Sequence, residues 1–482
     1  MGVAVDSPGS IHAPLCVDLD GTLLHGDILW EGIVSLFRTE PLALLLLPFW
    51  LMSGMARVKE EVAKRGQIDV TVLPYRAEIL SFLVSQREQG RAVILATAAE
   101  IGLALRVAAH LGVFDGVFAT QEGRNLRGKA KADRLCEEFG EGGYDYIGDS
   151  PADVPVWKSS RAAHVVGNQA LVRKARAVAN VENVFEGRPA KLQTWLSALR
   201  VHHWVKNALL FLPLLLAHRF DLRAIRTTTF GFLIFGLCAS SIYIFNDLLD
   251  LHSDRAHPWK SKRPFASGET SIPAGLLISG LLAASTIALG FLLNVQFGAV
   301  LILYIAATLW YSVHLKRIAL LDVFVLSGFY VIRIWAGALV ANVPLSDWFL
   351  AFSLFFFLSL ATAKRYSELL HAGALVSSGK SGRSYVEADR AMLMPLGIGC
   401  SFAAVIILAL YEHNQDLRSL YPKPEPLLLI CPIILYWLSR VWLKAGRGEL
   451  DEDPLTLSIH DPVTYGVAAA ILLVMIYSAM PL

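Results

Sequence analysis

Two groups of carboxylates in the 482-residue chain have a spacing that suits chemistry. Near the N-terminus, Asp18 and Asp20 lie two residues apart, directly after an apolar run and just before Gly21-Thr22. Carboxylates at the carboxyl end of a strand face the crevice where open α/β sheets bind ligands. Much farther along, Asp247, Asp250 and Asp254 recur at intervals of three and four within Asn246–Asp254. That spacing puts all three on one helical face. Like charges stacked this way repel unless they share a cation, and Mg²⁺ bridging to a diphosphate is the natural partner. A polar helix end at a membrane interface needs only one or two such charges.

The elements that position the first group read as short apolar strands alternating with helices. Strands are expected at Leu15–Leu19, Ala92–Ala96, Val117–Ala119, Tyr144–Ile147 and Ala163–Val166, with helical patterns at Val72–Gln89, Glu100–Leu111 and Ala132–Phe139. This alternation predicts an α/β, doubly wound parallel sheet over residues 1–190. Residues from about 25 to 71 break the alternation and read as a helical cap. Within the cap, Leu42–Met52 is almost wholly apolar but about half the length of a bilayer span. It is read here as a buried cap helix, the other reading being a helix lying on the membrane.

Residues 191–482 are of another kind. Of 43 basic and 41 acidic residues, the first 190 positions hold 20 and 23, leaving 23 and 18 for a longer second part. Mean hydropathy is +0.50 and net charge only +2, which excludes disorder and a strongly basic nucleic-acid binder. Five unpaired-looking cysteines exclude a disulfide framework. Nine apolar segments predict an all-α membrane domain of nine transmembrane helices: 204–217, 229–246, 272–293, 296–313, 320–341, 346–363, 393–411, 425–443 and 464–480. With the N-terminal domain in the cytoplasm, inner loops hold fourteen Lys or Arg and outer loops five. Met1–Ile11 has no secretory signal pattern. The expected location is therefore the inner, cytoplasmic membrane, multi-pass, with both active sites facing the cytoplasm.

Asp18-Leu19-Asp20-Gly21-Thr22, Thr97 at a strand end, Lys129 and Lys131 opening a helix, and Gly148-Asp149-Ser150-Pro151-Ala152-Asp153 occur in that order. The series resembles the four motifs of the haloacid dehalogenase superfamily, most closely its phosphoserine-phosphatase-type members with a helical cap. The resemblance implies Asp18 as nucleophile toward a phosphoryl group and Asp20 as the acid and then the base. It implies Thr97 and a lysine on the phosphoryl oxygens, Lys131 being preferred over Lys129 by register. It also implies Mg²⁺ held by Asp18, the carbonyl of Asp20 and Asp149, with Asp153 orienting the metal shell.

The aspartate-rich run resembles the first such motif of the UbiA prenyltransferase superfamily, whose fold has nine transmembrane helices. Several surrounding groups look like the branch that makes polyprenyl-phosphoryl 5-phosphoribose. They are Arg200 with Trp204-Val205-Lys206-Asn207, His257-Pro258 with Lys260 and Arg263, Tyr311-Ser312 with Lys316 and Asp322, Arg333 with Gly337, Lys364-Arg365-Tyr366 with Glu368, Asp453-Pro454 and Asp461-Pro462. Aromatic prenyltransferases carry a second aspartate pair where this chain has the basic Lys364-Arg365. The resemblance implies 5-phosphoribosyl 1-diphosphate as donor, held through Mg²⁺ by Asp247, Asp250 and Asp254 with Asn246 beside them. Lys260, Lys262 and Arg263 are candidates for the donor's phosphates, their roles undivided. Lys206, Asn207, Lys316, Arg333, Lys364 and Arg365 are candidates for binding phosphate. Tyr311 and Asp322 are either part of that site or structural partners of Lys316.

The leading expectation is a bifunctional enzyme: phosphoribosyl transfer to a polyprenyl phosphate, then removal of the 5-phosphate. The alternatives are an aromatic prenyltransferase with an unrelated phosphatase, and a non-catalytic lipid-phosphate binding or transport protein. Membrane lipid and the two substrates are the expected partners, with no nucleic acid; a homo-oligomer is compatible with the sequence.

Overall fold

The structure is a computed structural model, and it describes residues 13–121, 123–187, 192–377, 385–411, 420–450 and 461–480. Asp453-Pro454 and the loop cations Lys380, Arg383 and Arg418 lie outside the described residues. The chain divides into two compact units. One comprises Met1–Leu199 together with Ile244–Ile278, the other Arg200–Tyr243 together with Ser279–Leu482. The aspartate-rich segment and the loop after it belong to the first of these units.

The first unit is built on a six-stranded sheet: β1 (Leu15–Val17), β2 (Val93–Glu100), β3 (Gly116–Thr120), β4 (Asp145–Gly148), β5 (Ala162–Gly167) and β6 (Val181–Glu186). All five pairings are parallel, in the order β3-β2-β1-β4-β5-β6. Alternate residues of the inner strands feed two separate cores. Leu15, Val17, Val93 and Leu95 pack on the face covered by helices Ala77–Glu88 and Ile101–Leu111. Cys16, Ile94, Ala96 and Tyr146 pack on the face covered by helices Lys129–Phe139 and Gln169–Arg176. The sheet is therefore doubly wound. The sequence order of the strands reverses between β1 and β4, and a crevice forms beyond the carboxyl ends there.

The cap comprises helices Ile28–Thr39, Pro41–Leu46, Leu47–Met52 and Met55–Arg65. The expectation that Leu42–Met52 is buried is overturned. Ala43 and Trp50 of that run turn inward, onto Leu36, Val58 and Val62, with Leu44 and Leu47 half-buried against the same cluster, while Leu42, Leu45, Phe49 and Met52 are exposed.

Eight helices among the described residues are long and apolar enough to span a bilayer: Leu222–Leu249, Ile272–Leu293, Val295–Arg317, Leu321–Ala341, Asp347–His371, Glu387–Tyr411, Glu425–Gly446 and Pro462–Ala479. The chain is a multi-pass membrane protein. The expected ninth span, 204–217, falls in Val201–Leu216, which winds as a 3₁₀ turn before Pro213 starts a short α-helix and is too short to count with the others. Several spans begin at a side-chain cap that satisfies otherwise unpaired N–H groups. Asn294 Oδ1 accepts from Gln296 and Phe297, and Asp461 Oδ2 accepts from Thr464. Gly337 lets the Val201–Phe211 segment lie directly on Leu321–Ala341, since a Cβ there would stand 2.1 Å from the Leu210 carbonyl oxygen.

Candidate functional sites

In the first unit, Asp18 leaves β1 and Asp149 leaves β4, so the switch point brings them together from 131 positions apart. Asp18, Asp149 and Asp153 each offer a carboxylate oxygen within 4.8 Å of the others. Lys131, from the first turn of Lys129–Phe139, is buried with its Nζ 3.0 Å from Asp18 Oδ1 and 3.8 Å from Asp153 Oδ1. Lys129 is exposed. Lys131 Nζ also donates to the Tyr146 hydroxyl (2.7 Å), which in turn donates to Asp153 Oδ1 (2.9 Å). Asp153 Oδ2 accepts from the backbone of Asp149 and Ser150, fixing the turn after β4. Thr97 lies fully buried within β2, its Oγ1 accepting from the Ala99 N–H. Asp20 accepts from the Ile28 N–H at the start of the first cap helix.

Crowding three carboxylates around one lysine has the electrostatic consequence expected of buried like charges. Burial, opposed by Lys131, pushes Asp18 up to about 6. Burial and then the charges of Asp18 and Asp153 push Asp149 up to about 8. Burial and then Asp27 hold Asp20 well above the usual carboxylate range. Burial by itself would lower Lys131, but Asp18 and Asp153 outweigh it and hold the ammonium above its ordinary value. The cluster therefore favours an added cation. Gly21 matters here: its φ is +73°, and a Cβ would lie 2.0 Å from Asp149 Oδ2.

Sequence reasoning missed Lys59. It reaches from cap helix Met55–Arg65 to the crevice and donates to the Ala98 carbonyl (2.6 Å) and to Asn125 Oδ1 (2.8 Å). Burial lowers its pKa against the pull of Asp20 and Asp27. Nothing in the amphipathic pattern of its helix distinguishes it from its solvated neighbours. Tyr146 was missed for a similar reason: on a buried strand an aromatic reads as core.

The aspartate-rich segment lies where Leu222–Leu249 ends. Asp250 interrupts the helix geometry, and Leu251–Arg255 continues beyond it. Asp247 and Asp254 are buried, and Arg263 Nη1 stands between them, 3.3 Å from Asp247 Oδ1 and 2.5 Å from Asp254 Oδ2. Burial raises Asp254 despite Arg263. Asn246 Oδ1 is buried without a hydrogen-bond partner. Lys260 and Lys262 sit on the exposed 3₁₀ turn that leads into Arg263, Lys262 lying over the Trp259 ring.

In the second unit two of the expected phosphate-binding arginines are committed elsewhere. Arg333 is buried, and its Nε, Nη2 and Nη1 donate to Asn207 Oδ1 (3.0 Å), the Tyr304 hydroxyl (2.8 Å) and the Phe329 carbonyl (2.5 Å). Arg365 is also buried, with Nη2 2.7 Å from Asp322 Oδ2 (an ion pair outside hydrogen-bond angles) and Nη1 on Glu368. Tyr385 donates to Asp322 as well. Arginine within the bilayer must be paired, and these two are paired within the protein. Lys206, Lys316 and Lys364 remain partly exposed, as does Tyr311, which packs edge-on against Phe329. Lys206 edges a cavity of about 210 Å³ that is otherwise apolar, lined by Val205, Ala208, Leu209, Leu212 and Leu215.

A family model described as the UbiA prenyltransferase family matches residues 208–374. Decaprenyl-phosphate phosphoribosyltransferase of Mycolicibacterium smegmatis is 34% identical over 48% of this chain and 74% of its own length. The C-terminal region of the chain belongs to the UbiA prenyltransferase family. An uncharacterised protein of Sinorhizobium fredii, y4nM, is 37% identical over 95% of this chain and 89% of its own length, so that likeness extends through the N-terminal unit as well. Nodulation protein NoeC of Azorhizobium caulinodans is 35% identical over 56% of this chain and 87% of its own. Within the UbiA match fall the aspartate-rich segment, Arg263, Lys316, Arg333 and the Lys364-Arg365 pair.

Proposed function

We propose that the UbiA region transfers 5-phosphoribose from phosphoribosyl diphosphate to a polyprenyl phosphate, and that the N-terminal unit is a haloacid-dehalogenase-type phosphatase removing the 5-phosphate from the product. The observation that carries the reading is the Asp18, Asp149 and Asp153 cluster with Lys131 buried against Asp18, joined in one chain to a region 34% identical to a decaprenyl-phosphate phosphoribosyltransferase. Such a transferase makes a lipid bearing a phosphomonoester, the bond the first site would hydrolyse. We place the protein in the inner membrane with both sites on the cytoplasmic side, the arrangement that the loop charges favour.

The residues present fit Mg²⁺ at the first site, where three carboxylates offer oxygens within 4.8 Å of one another. Asp18, Asp149 and the buried Asp153 set three carboxylates against one lysine, whereas between Asp247 and Asp254 the cation in place is Arg263. At the first site Asp18 and Asp149 would hold the ion, with Asp153 orienting it; at the second we assign that role to Asp247, Asp250 and Asp254, with Asn246 beside them in sequence. Bound Mg²⁺ would neutralise phosphate charge and let an anionic group approach.

In the phosphatase step an Asp18 oxygen attacks phosphorus and the bond to the ribose 5-oxygen breaks. Asp20, whose carboxyl is held above the usual carboxylate range by burial, gives its proton to that oxygen; it then takes one from the water that hydrolyses the acyl phosphate, releasing inorganic phosphate and restoring Asp18. Lys131 binds a phosphoryl oxygen while orienting Asp18, and we assign Thr97 to the phosphoryl oxygens as well. In the transferase step the bond from ribose C1 to diphosphate breaks and a polyprenyl phosphate oxygen forms the new one. Lys260, Lys262 and Arg263 face the donor's phosphates, and Lys206, Lys316 and Lys364 the lipid phosphate.

The test offers the full-length protein labelled phosphoribosyl diphosphate and a polyprenyl phosphate, and weighs the lipid-extractable product. The unaltered protein should yield the dephosphorylated ribosyl lipid, Asp18→Asn the same lipid with its phosphate retained, and Asp250→Asn no labelled lipid. Identical products from the unaltered protein and Asp18→Asn would separate the phosphatase from this substrate. Efficient prenylation of an aromatic acid instead would replace the transferase reading.

A further inference from the structure

We propose that the apolar cap segment Pro41–Met52 is an interfacial anchor seated in the headgroup and acyl boundary of the bilayer that the same chain spans. Residues 41–56 contain no ionisable side chain. Leu42, Leu45, Phe49 and Met52 recur at intervals of three and four, and are 78%, 71%, 66% and 87% exposed. Their underside is already satisfied, because Ala43 and Trp50 pack on the two flanking cap helices. A fully apolar outer face of this kind in water is unusual, and its period is that of a helix lying in a membrane surface.

What covers the face follows from contacts within the same compact unit. Phe37, on the helix that leads into the segment, packs edge-on against Phe245 with ring centroids 5.0 Å apart. Phe245 belongs to the spanning helix Leu222–Leu249, four residues before its end, or about 6 Å along the axis. Glu31 on the same cap helix pairs through both oxygens with Arg255 just past that end (2.6 and 3.0 Å), both side chains being buried. The cap helix is thus clamped where a span leaves the membrane, and the apolar segment starts four residues beyond Phe37. In the loop after the span Trp259 is 75% exposed, a residue type concentrated at membrane interfaces. Continuity with the span selects lipid as the occupant. The proposal does not depend on the activity of either site.

The test places nitroxide labels on the full-length protein in lipid nanodiscs. Four of the five cysteines are buried, so a Cys136→Ser background suffices, with single cysteines introduced as Leu45→Cys, Met52→Cys and, on the exposed flank of the neighbouring helix, Lys64→Cys. Accessibility is read with oxygen, which concentrates in the acyl region, and with a nickel chelate, which stays in water. Positions 45 and 52 should favour oxygen at a depth of about 5–10 Å, and position 64 the chelate. Adding Phe49→Glu and Leu42→Glu should move the label at 52 toward the aqueous value. If 45 and 52 read as aqueous as 64, the anchor is refuted. Shielding from both agents together with dipolar broadening between labelled copies would assign the face to a second copy and refute it equally.

Discussion

Gly21→Ala isolates the geometry of the N-terminal site more sharply than removing a carboxylate would, because it deletes no functional group. Gly21 holds φ at +73°, a region that costs an L-residue about 1–2 kcal/mol. The added methyl would also stand 2.0 Å from Asp149 Oδ2 and 2.6 Å from its carboxyl carbon. Carbon in ordinary contact needs roughly 3.5 Å, so Asp149 must retreat by more than an ångström and the Thr22 Oγ1 to Asp149 Oδ1 contact (3.3 Å) opens. A displacement of that size in a positioned group typically costs about 100-fold. We expect hydrolysis of a small soluble phosphomonoester to fall by about that factor, with more Mg²⁺ needed for half-maximal rate and lipid labelling from phosphoribosyl diphosphate intact. Gly26→Ala is the control: it lies in the same loop, and its nearest neighbour, Glu31 Oε1, is an ordinary 3.7 Å away. If Gly21→Ala matched Gly26→Ala in rate and metal requirement, Asp149 would not be a ligand and the assignment of the cluster would fall.

Two further predictions concern stability. His164, buried on β5 with Nδ1 3.0 Å from Asn183 Nδ2, is held down to about 4 by burial, so the unfolded chain binds more protons than the folded one. Its stabilising effect is complete above pH 6.5 and is lost as pH falls toward 4. At pH 5 the loss is about 2 kcal/mol, which should appear as roughly 30-fold faster hydrogen exchange in Ala162–Gly167 once corrected for intrinsic rates; His164→Phe should abolish that pH dependence, and its persistence would point to another group. Arg333→Met should destabilise the UbiA region by about 1–3 kcal/mol through the buried neutral acceptors it leaves unsatisfied, seen as a lower melting temperature in detergent that Arg333→Lys does not restore, since one ammonium cannot serve three acceptors in different directions. A normally stable Arg333→Met with weakened lipid-phosphate binding would return this residue to the substrate site.

The parts of the fold legible in the sequence were those where one physical demand dominates. β1, β2, β4 and β5 are buried on both faces, so they read as largely apolar runs, interrupted only by Thr97, Asp145 and His164 in their buried cores, and fell within a few residues of their expected places. β6 was not anticipated, because Val181–Glu186 is an edge strand whose glutamates and asparagine face outward. Asp18 and Asp149 were legible because each follows a strand, and the switch point of the sheet then brings them together with Asp153 and Lys131. Cap contributions were not, since Lys59 owes its position to the packing of Met55–Arg65 rather than to any local pattern. The Leu42–Met52 run shows a different limit: composition says that a segment will leave water, but not whether protein or lipid receives it.

Basic residues in the UbiA region make the same point from the energetic side. By type, Arg333, Arg365, Lys206, Lys316 and Lys364 are all cations suited to phosphate. Arginine keeps its charge under any condition and presents a rigid fork of donors, so it is the cation a membrane protein can bury for structure, provided its charge finds partners within the protein. Arg333 finds three, and Arg365 finds Asp322 and Glu368. The pairing of Arg365 also means that the Lys364-Arg365 pair contributes less net positive charge than its residue types suggest, which weakens an inference about donor choice drawn from that loop alone. Lysine has one nitrogen on a flexible stem and is strongly hydrated, so leaving it half-exposed costs little. The three lysines are partly exposed, whereas both arginines are buried. Substitutions that separate the two classes should therefore separate two phenotypes: loss of the folded membrane domain for the arginines, and loss of phosphate affinity in a folded protein for the lysines.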